Sequence, residues 1–203
     1  KKSNFLNKIK IMNVDGYFDN LDPKSSPSTQ RFSKFLLFEF IRTGGDAAQC
    51  KSENSDLSDV QTADTHRVND ELYFACERYD PDIELIMRLV NENPNALSTA
   101  RQRGWLPIHH AAMANSARAV KLLLSLYPDG AHSVQDDGFM PLHMAVYFED
   151  VEIDVVQMLL AAYPMAAQHC STDGRTPLHV ALQNSSCSLE VIKLLYDAYP
   201  DAV

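Results

Sequence analysis

The stretch DGRTPLHVAL at residues 173–182 stands 36 residues after DGFMPLHMAV at 137–146. Working outward, RGWLPIHHAA at 103–112 and NDELYFAC at 69–76 fall into the same register. Leu72, Ile108, Leu142 and Leu178 are separated by 36, 34 and 36 residues, and Pro94, Pro128, Pro164 and Pro200 by 34, 36 and 36. Two landmarks that hold one period through four copies mark a structural unit stacked on copies of itself.

Each copy can be parsed physically. Gly104, Gly138 and Gly174 follow polar or charged residues, as a tight turn with a positive-φ position requires. Pro107, Pro141 and Pro177 come next, suited to the first turn of a helix, where the missing N–H is no loss. A short helix follows, with Ala111, Ala145 and Ala181 where helices must approach closely. A second helix carries Ile86, Val120, Val156 and Ile192, with Leu89, Leu123, Leu159 and Leu195 three residues on along the same apolar face. The closing proline, preceded by Tyr in three copies, stops that helix by pushing the residue before it out of the α region. One such helix pair cannot bury its apolar faces alone, so the copies must stack into a solenoid.

The units at 103–203 resemble ankyrin repeats. The match is full in GRTPLH (Gly174–His179) and partial in GFMPLH and GWLPIH, where Met140 and Leu106 replace Thr176. It is faint in the first unit, where Glu71 takes the Pro position and Tyr73 the His position. Tyr-Pro replaces the family's Gly-Ala after the second helix, and three units carry two extra residues between their helices. The expected fold is all-α: an ankyrin-like α-solenoid of stacked helix-turn-helix units with connecting turns, plus an N-terminal helical or irregular capping segment. The expected organisation is an N-terminal segment at 1–45, with a capping helix at 31–41 (RFSKFLLFEFI). An acidic flexible linker at 46–68 then leads to the repeat domain at 69–203, with units at 69–102, 103–136, 137–172 and 173–203. No polar capping repeat follows the last unit, so further repeats or a partner are expected against that end.

Bulk properties narrow the function. Composition is that of an ordinary globular protein, 45% hydrophobic and 22% charged, and no apolar run suits a membrane helix or a secretory signal. Net charge is −9, and the body is more acidic still, because Lys and Arg outnumber Asp and Glu only in residues 1–45. That balance argues against nucleic acid as a partner, since phosphate contacts need clustered cations. Cys50, Cys76, Cys170 and Cys187 show no metal-ligand spacing and read as reduced thiols. With no targeting signal, the expected location is intracellular, cytoplasmic or nuclear.

His109, His143 and His179 recur once per unit. Stacked copies lie about 10 Å apart, too far to share a metal, and the resemblance implies a structural role in which the imidazole bonds to its unit's Thr and to neighbouring backbone. His110 reads as incidental. The His169–Cys170 pair has no orienting third group, and no nucleotide-binding, zinc-protease or calcium-loop motif is present. The expectation is therefore no enzyme, no metal and no cofactor.

What the resemblance implies instead is a concave face, built from turn tips and first helices, that binds a protein partner. Trp105, Met113, Phe139 and Tyr147 are expected as its exposed apolar centre, with Arg101, Arg103 and Arg175 near the rim and Glu77, Arg78 and Gln183 at the equivalent helix ends. Phe148 is expected to pack. The expected function is a protein-interaction scaffold or adaptor; a substrate-recruiting repeat region of a larger kinase or ubiquitin-ligase component is the alternative, and a Cys/His hydrolase a weaker one.

Overall fold

A computed structural model describes residues 60–202 of the chain, and these belong to one compact unit, Leu57–Val203. The expected capping helix at 31–41 lies outside the described residues. Eight α-helices and no strands are found among them. They pair as α1 (Val60–Cys76) with α2 (Ile83–Glu92), α3 (Pro107–Met113) with α4 (Ala117–Leu126), α5 (Pro141–Tyr147) with α6 (Ile153–Ala162), and α7 (Pro177–Gln183) with α8 (Leu189–Ala198). The first helices of the pairs pack on one another in sequence, α1 on α3 on α5 on α7, and the second helices form a parallel outer row. None of the described helices is long and apolar enough to cross a membrane.

The repeated residues do what their spacing requires. Leu72, Leu142, Ala111, Ala145, Ala181, Val120 and Val156 are wholly buried, so the small residues let inner helices approach while the branched ones fill the layer between rows. Pro107, Pro141 and Pro177 open α3, α5 and α7. At the far ends, Tyr127, Tyr163 and Tyr199 leave the helix with φ between −150° and −143°, and the following prolines begin short 3₁₀ turns. Asp82, Ser116 and Ser188 cap α2, α4 and α8 by accepting from the N–H groups of Leu85, Ala119 and Val191.

α1 departs from the sequence expectation. Its backbone is helical from Val60, so residues 60–68 are not part of a flexible linker. Packing explains why: Val68, Leu72, Ala75 and Cys76 are buried at its C-terminal end, and once a turn is anchored, each added residue costs little.

Between pairs the chain makes a hairpin. Gln135 N–H donates to Phe139 C=O at 3.1 Å, and Gly138 N–H to Gln135 C=O at 2.8 Å; Arg101–Trp105 and Ser171–Arg175 repeat the pattern. Adjacent hairpins are tied by Asp136 N–H to Arg103 C=O (3.0 Å) and Thr172 N–H to Asp137 C=O (2.9 Å). This stacking is why glycine is needed at 138: its φ is +78°, and a Cβ there would sit 2.7 Å from the Thr172 nitrogen. Gly174 has the same φ but a Cβ would meet nothing within 4 Å.

Chemical denaturation separates these two effects. Gly174→Ala is expected to cost about 1–2 kcal/mol, the conformational penalty alone. Gly138→Ala adds a backbone clash and is expected to cost at least about 1 kcal/mol more.

Candidate protein-binding surface

The inner helices α3, α5 and α7 each start with an imidazole cap. His109 Nδ1 accepts from Leu106 N–H at 3.1 Å, His143 Nδ1 from Met140 N–H at 3.2 Å, and His179 Nδ1 from Thr176 N–H at 3.3 Å. An accepting Nδ1 places the proton on Nε2, and His143 Nε2 donates it to Arg175 C=O of the next repeat unit at 3.1 Å. Burial pushes His109 down to about 3, with neighbouring His110 adding to the effect. It pushes His143 down to about 4, the Arg175 carbonyl partly opposing it. Only the last unit retains Thr176, whose Oγ1 lies 2.8 Å from His179 Nδ1; the other two rely on backbone.

The residues after the turn glycines correct the sequence reading. Trp105 and Phe139 are each 4% exposed and Met113 6%, so none forms an exposed apolar centre. The hairpins fold back on the inner helices and lay these rings against the histidines. Trp105 packs 4.9 Å from His110 and 6.0 Å from His109, and Phe139 stacks on His143 at 5.3 Å. Arg175, the third residue of this series, sits over the Phe139 ring at 5.7 Å. It pairs with Asp173 at 2.5 Å and reaches Gln183 Oε1 at 3.1 Å, which holds the Asp173 carboxyl below its usual range.

His110 is not incidental. Its Nδ1 lies 2.7 Å from Glu77 Oε1, joining α3 to the end of α1, with both side chains nearly buried. The rings of Tyr73 and Trp105 flank it at 5.1 and 4.9 Å. Glu77 is thereby committed inward rather than offered to a partner. A signal was present in the aligned sequence: the positions of His110 and Glu77 are Met144 and Met113 in neighbouring units.

What remains accessible on this face is partly aromatic and largely charged. Tyr147 is half-buried, 5.9 Å from Phe139 and 5.0 Å from Phe148; Phe148 packs against it, also half-buried. Arg78 and Gln183 are exposed. Arg103, at φ +68°, pairs with Asp137 at 3.2 Å, and Arg101 with Asp70 at 3.1 Å while its guanidinium covers Tyr73 and Phe74.

The connections between paired helices carry contacts that the sequence reading missed. They span 77–82, 114–116, 148–152 and 184–188. Tyr79 Oη reaches Glu152 Oε1 at 3.1 Å, over the short connection of the second unit. Beneath it Asn115, 1% exposed, donates to Ala145 C=O and accepts from Glu152 N–H. Asn184 donates to the Val146 and Phe148 carbonyls.

His169 Nε2 engages Gly138 C=O at 3.0 Å and the Cys170 thiol lies toward Gln168 C=O, so the two side chains turn to different partners. Among the described residues no cluster of three His, Cys, Asp or Glu is placed to hold a metal, and Cys76, Cys170 and Cys187 are free thiols.

The family model described as ankyrin repeats (3 copies) matches residues 72–166 and 126–202. No curated protein matches the chain.

Two outcomes follow from the buried imidazoles. Below pH 6.5 the unfolded chain binds protons on His109 and His143 that the folded chain refuses until pH about 3 and 4. Stability is therefore expected to fall with pH from 6.5 downward, each histidine contributing a slope approaching about 1.4 kcal/mol per pH unit. Denaturation midpoints measured from pH 7 to 5 should show it, and His143→Asn should flatten the slope by one proton. Separately, Glu77→Ala leaves the buried His110 without the carboxylate 2.7 Å from its ring and is expected to cost about 1–3 kcal/mol. The paired change Glu77→Met/His110→Met, copying the neighbouring units, should recover most of that loss.

Proposed function

The chain belongs to the ankyrin-repeat family, and from that premise we propose that it works as a scaffold or adaptor that binds a protein partner on the face of its inner helices and hairpin tips. Ankyrin repeats are protein-interaction modules; the adaptor role and the residues that serve it are this reading's own content. The observation that carries it is the row of partly accessible side chains on adjacent units: Arg78, Arg103, Tyr147, Arg175 and Gln183. Tyr and Arg dominate interface energies where they become desolvated. Here they stand on rigid elements whose own cores are complete, so little ordering is needed on binding.

The same residues suggest how a partner is chosen. Arg103 and Arg175 are already paired with Asp137 and Asp173, so a partner gains by matching the whole charge pattern rather than by neutralising an isolated cation. Trp105, Phe139 and Met113 contribute from beneath, by fixing where the hairpin tips stand.

The test is affinity capture from native lysate with the wild-type chain beside Arg78→Ala/Tyr147→Ala, after matching their melting temperatures, followed by titration of each captured protein in purified form. Direct binding that the double variant weakens about tenfold or more supports the reading. Binding partners held equally by both forms would remove this face from consideration.

A further inference from the structure

The tie between the third and fourth repeat units runs through a ring whose two nitrogens do opposite things. His143 Nδ1 accepts from Met140 N–H at 3.2 Å, and its Nε2 donates to Arg175 C=O on the fourth unit's hairpin at 3.1 Å. The side chain is wholly buried and stacks on Phe139 at 5.3 Å. A proton added at Nδ1 sets donor against donor, so the helix cap is lost and the ring must leave the joint.

Nothing around the ring is arranged to receive an imidazolium. On the elements packed against α5, the ionisable side chains are His109 and His110 on α3, Asp154 on α6, His179 on α7, and Asp129 and His132 on the 3₁₀ turn at 128–132. The hairpin tips add Asp136, Asp137, Asp173 and Arg175, and His169 meets the His143 ring edge-on at 5.9 Å. The charges felt at that ring are those of His169 and Arg175, and both oppose a proton there. Asp137 and Asp173 are engaged by Arg103 and Arg175.

The other polar ties across this joint carry no titrating group. Thr172 N–H and Oγ1 both donate to Asp137 C=O at 2.9 Å. The Asn184 amide donates to the Val146 and Phe148 carbonyls at 3.0 and 2.7 Å. Those last two bonds lie at the far end of α7 from the hairpin, so residues 171–175 can part from α5 while α7 stays docked. The first unit is built differently. Its aligned residue is Tyr73, whose Oη donates to Thr99 C=O, and burial pushes that hydroxyl up to about 12.

We propose that His143 is a proton-operated latch: when mild acid protonates its ring, the hairpin at 171–175 releases from α5 while the helices of the stack remain folded. Burial, which pushes the ring down to about 4, gives the direction. The closed joint refuses a proton that the open one takes up near pH 6.5, so opening grows as pH falls. Arg175 and Asp173 travel with the hairpin, so opening also withdraws them from the proposed protein-binding face; the latch itself does not rest on that role.

Amide hydrogen exchange of the full chain, resolved by NMR from pH 7 to 5 and corrected for the intrinsic effect of pH on exchange, tests this. The opening constants at Thr172 and Met140, whose N–H groups are held by Asp137 and His143, are expected to rise about twentyfold over that range. Helical circular dichroism should stay unchanged, and at each pH both amides should exchange faster than those of the buried Leu89 and Leu123. His143→Asn keeps an acceptor for Met140 N–H and takes up no proton, so it should abolish the rise. Protection at Thr172 lost in step with Leu89 and Leu123 overturns the proposal, because it marks global unfolding. So does a flat profile at Thr172, or a rise that persists in His143→Asn. Where that variant fails to fold, the wild-type ring resonances decide: His143 must titrate together with the amide shifts of Thr172 and Arg175, and a ring that titrates without them overturns the latch.

Discussion

One neutral imidazole holds two levels of this structure together. His143 accepts a backbone N–H at the start of its own helix and donates to a backbone carbonyl in the next unit's hairpin. Both bonds require the uncharged Nε2–H form, and burial between units enforces that form. The arrangement sets the entry of α5, the position of the following turn and the spacing between them, so the repeat can be copied along the chain. At His179, in the last described unit, the cap of the helix is kept while the side chain is exposed.

The four-unit stack was legible in the sequence because its landmarks are set by backbone constraints that hardly vary. Proline at a helix start, a positive-φ glycine and a proline stop leave few substitutes, so Gly104, Gly138 and Gly174 could be assigned from letters alone. Side-chain direction was not legible in the same way. Trp105 and Phe139 follow turn glycines, which usually signals a surface, yet both rings return to the histidines of their own helices. The start of α1 escaped because residues 60–66 carry little apolar pattern, and its helix is anchored from the other end. The Glu77–His110 pair could have been found by comparing columns rather than units, since His110 is polar where Phe74, Met144 and Val180 are apolar and Glu77 is charged where the next unit has Met113.

These corrections change the character of the proposed binding face. With Trp105, Phe139 and Met113 consumed inside, the accessible row relies on Tyr147, on arginines held by neighbouring carboxylates and on exposed amide and guanidinium groups. Such a surface discriminates by geometry and charge order more than it attracts by apolar area. It also resists drift, because several of its members are fixed by residues that the core needs for other reasons. Arg175 is one such residue: it lies over Phe139 and supplies the carbonyl that His143 requires.

The short connection at 114–116 has a consequence for how the chain tolerates change in length. Surface loops generally accept inserted residues at small entropic expense, and the connections at 77–82, 148–152 and 184–188 are already longer. At 114–116 the same insertion would displace Asn115, which is buried at φ +50° with both ends of its amide engaged by the next unit. It would also intrude under the Tyr79–Glu152 bridge, which links residues 73 apart in the chain. The second helix pair therefore has less room for drift in repeat length than the other three, whose connections are already longer.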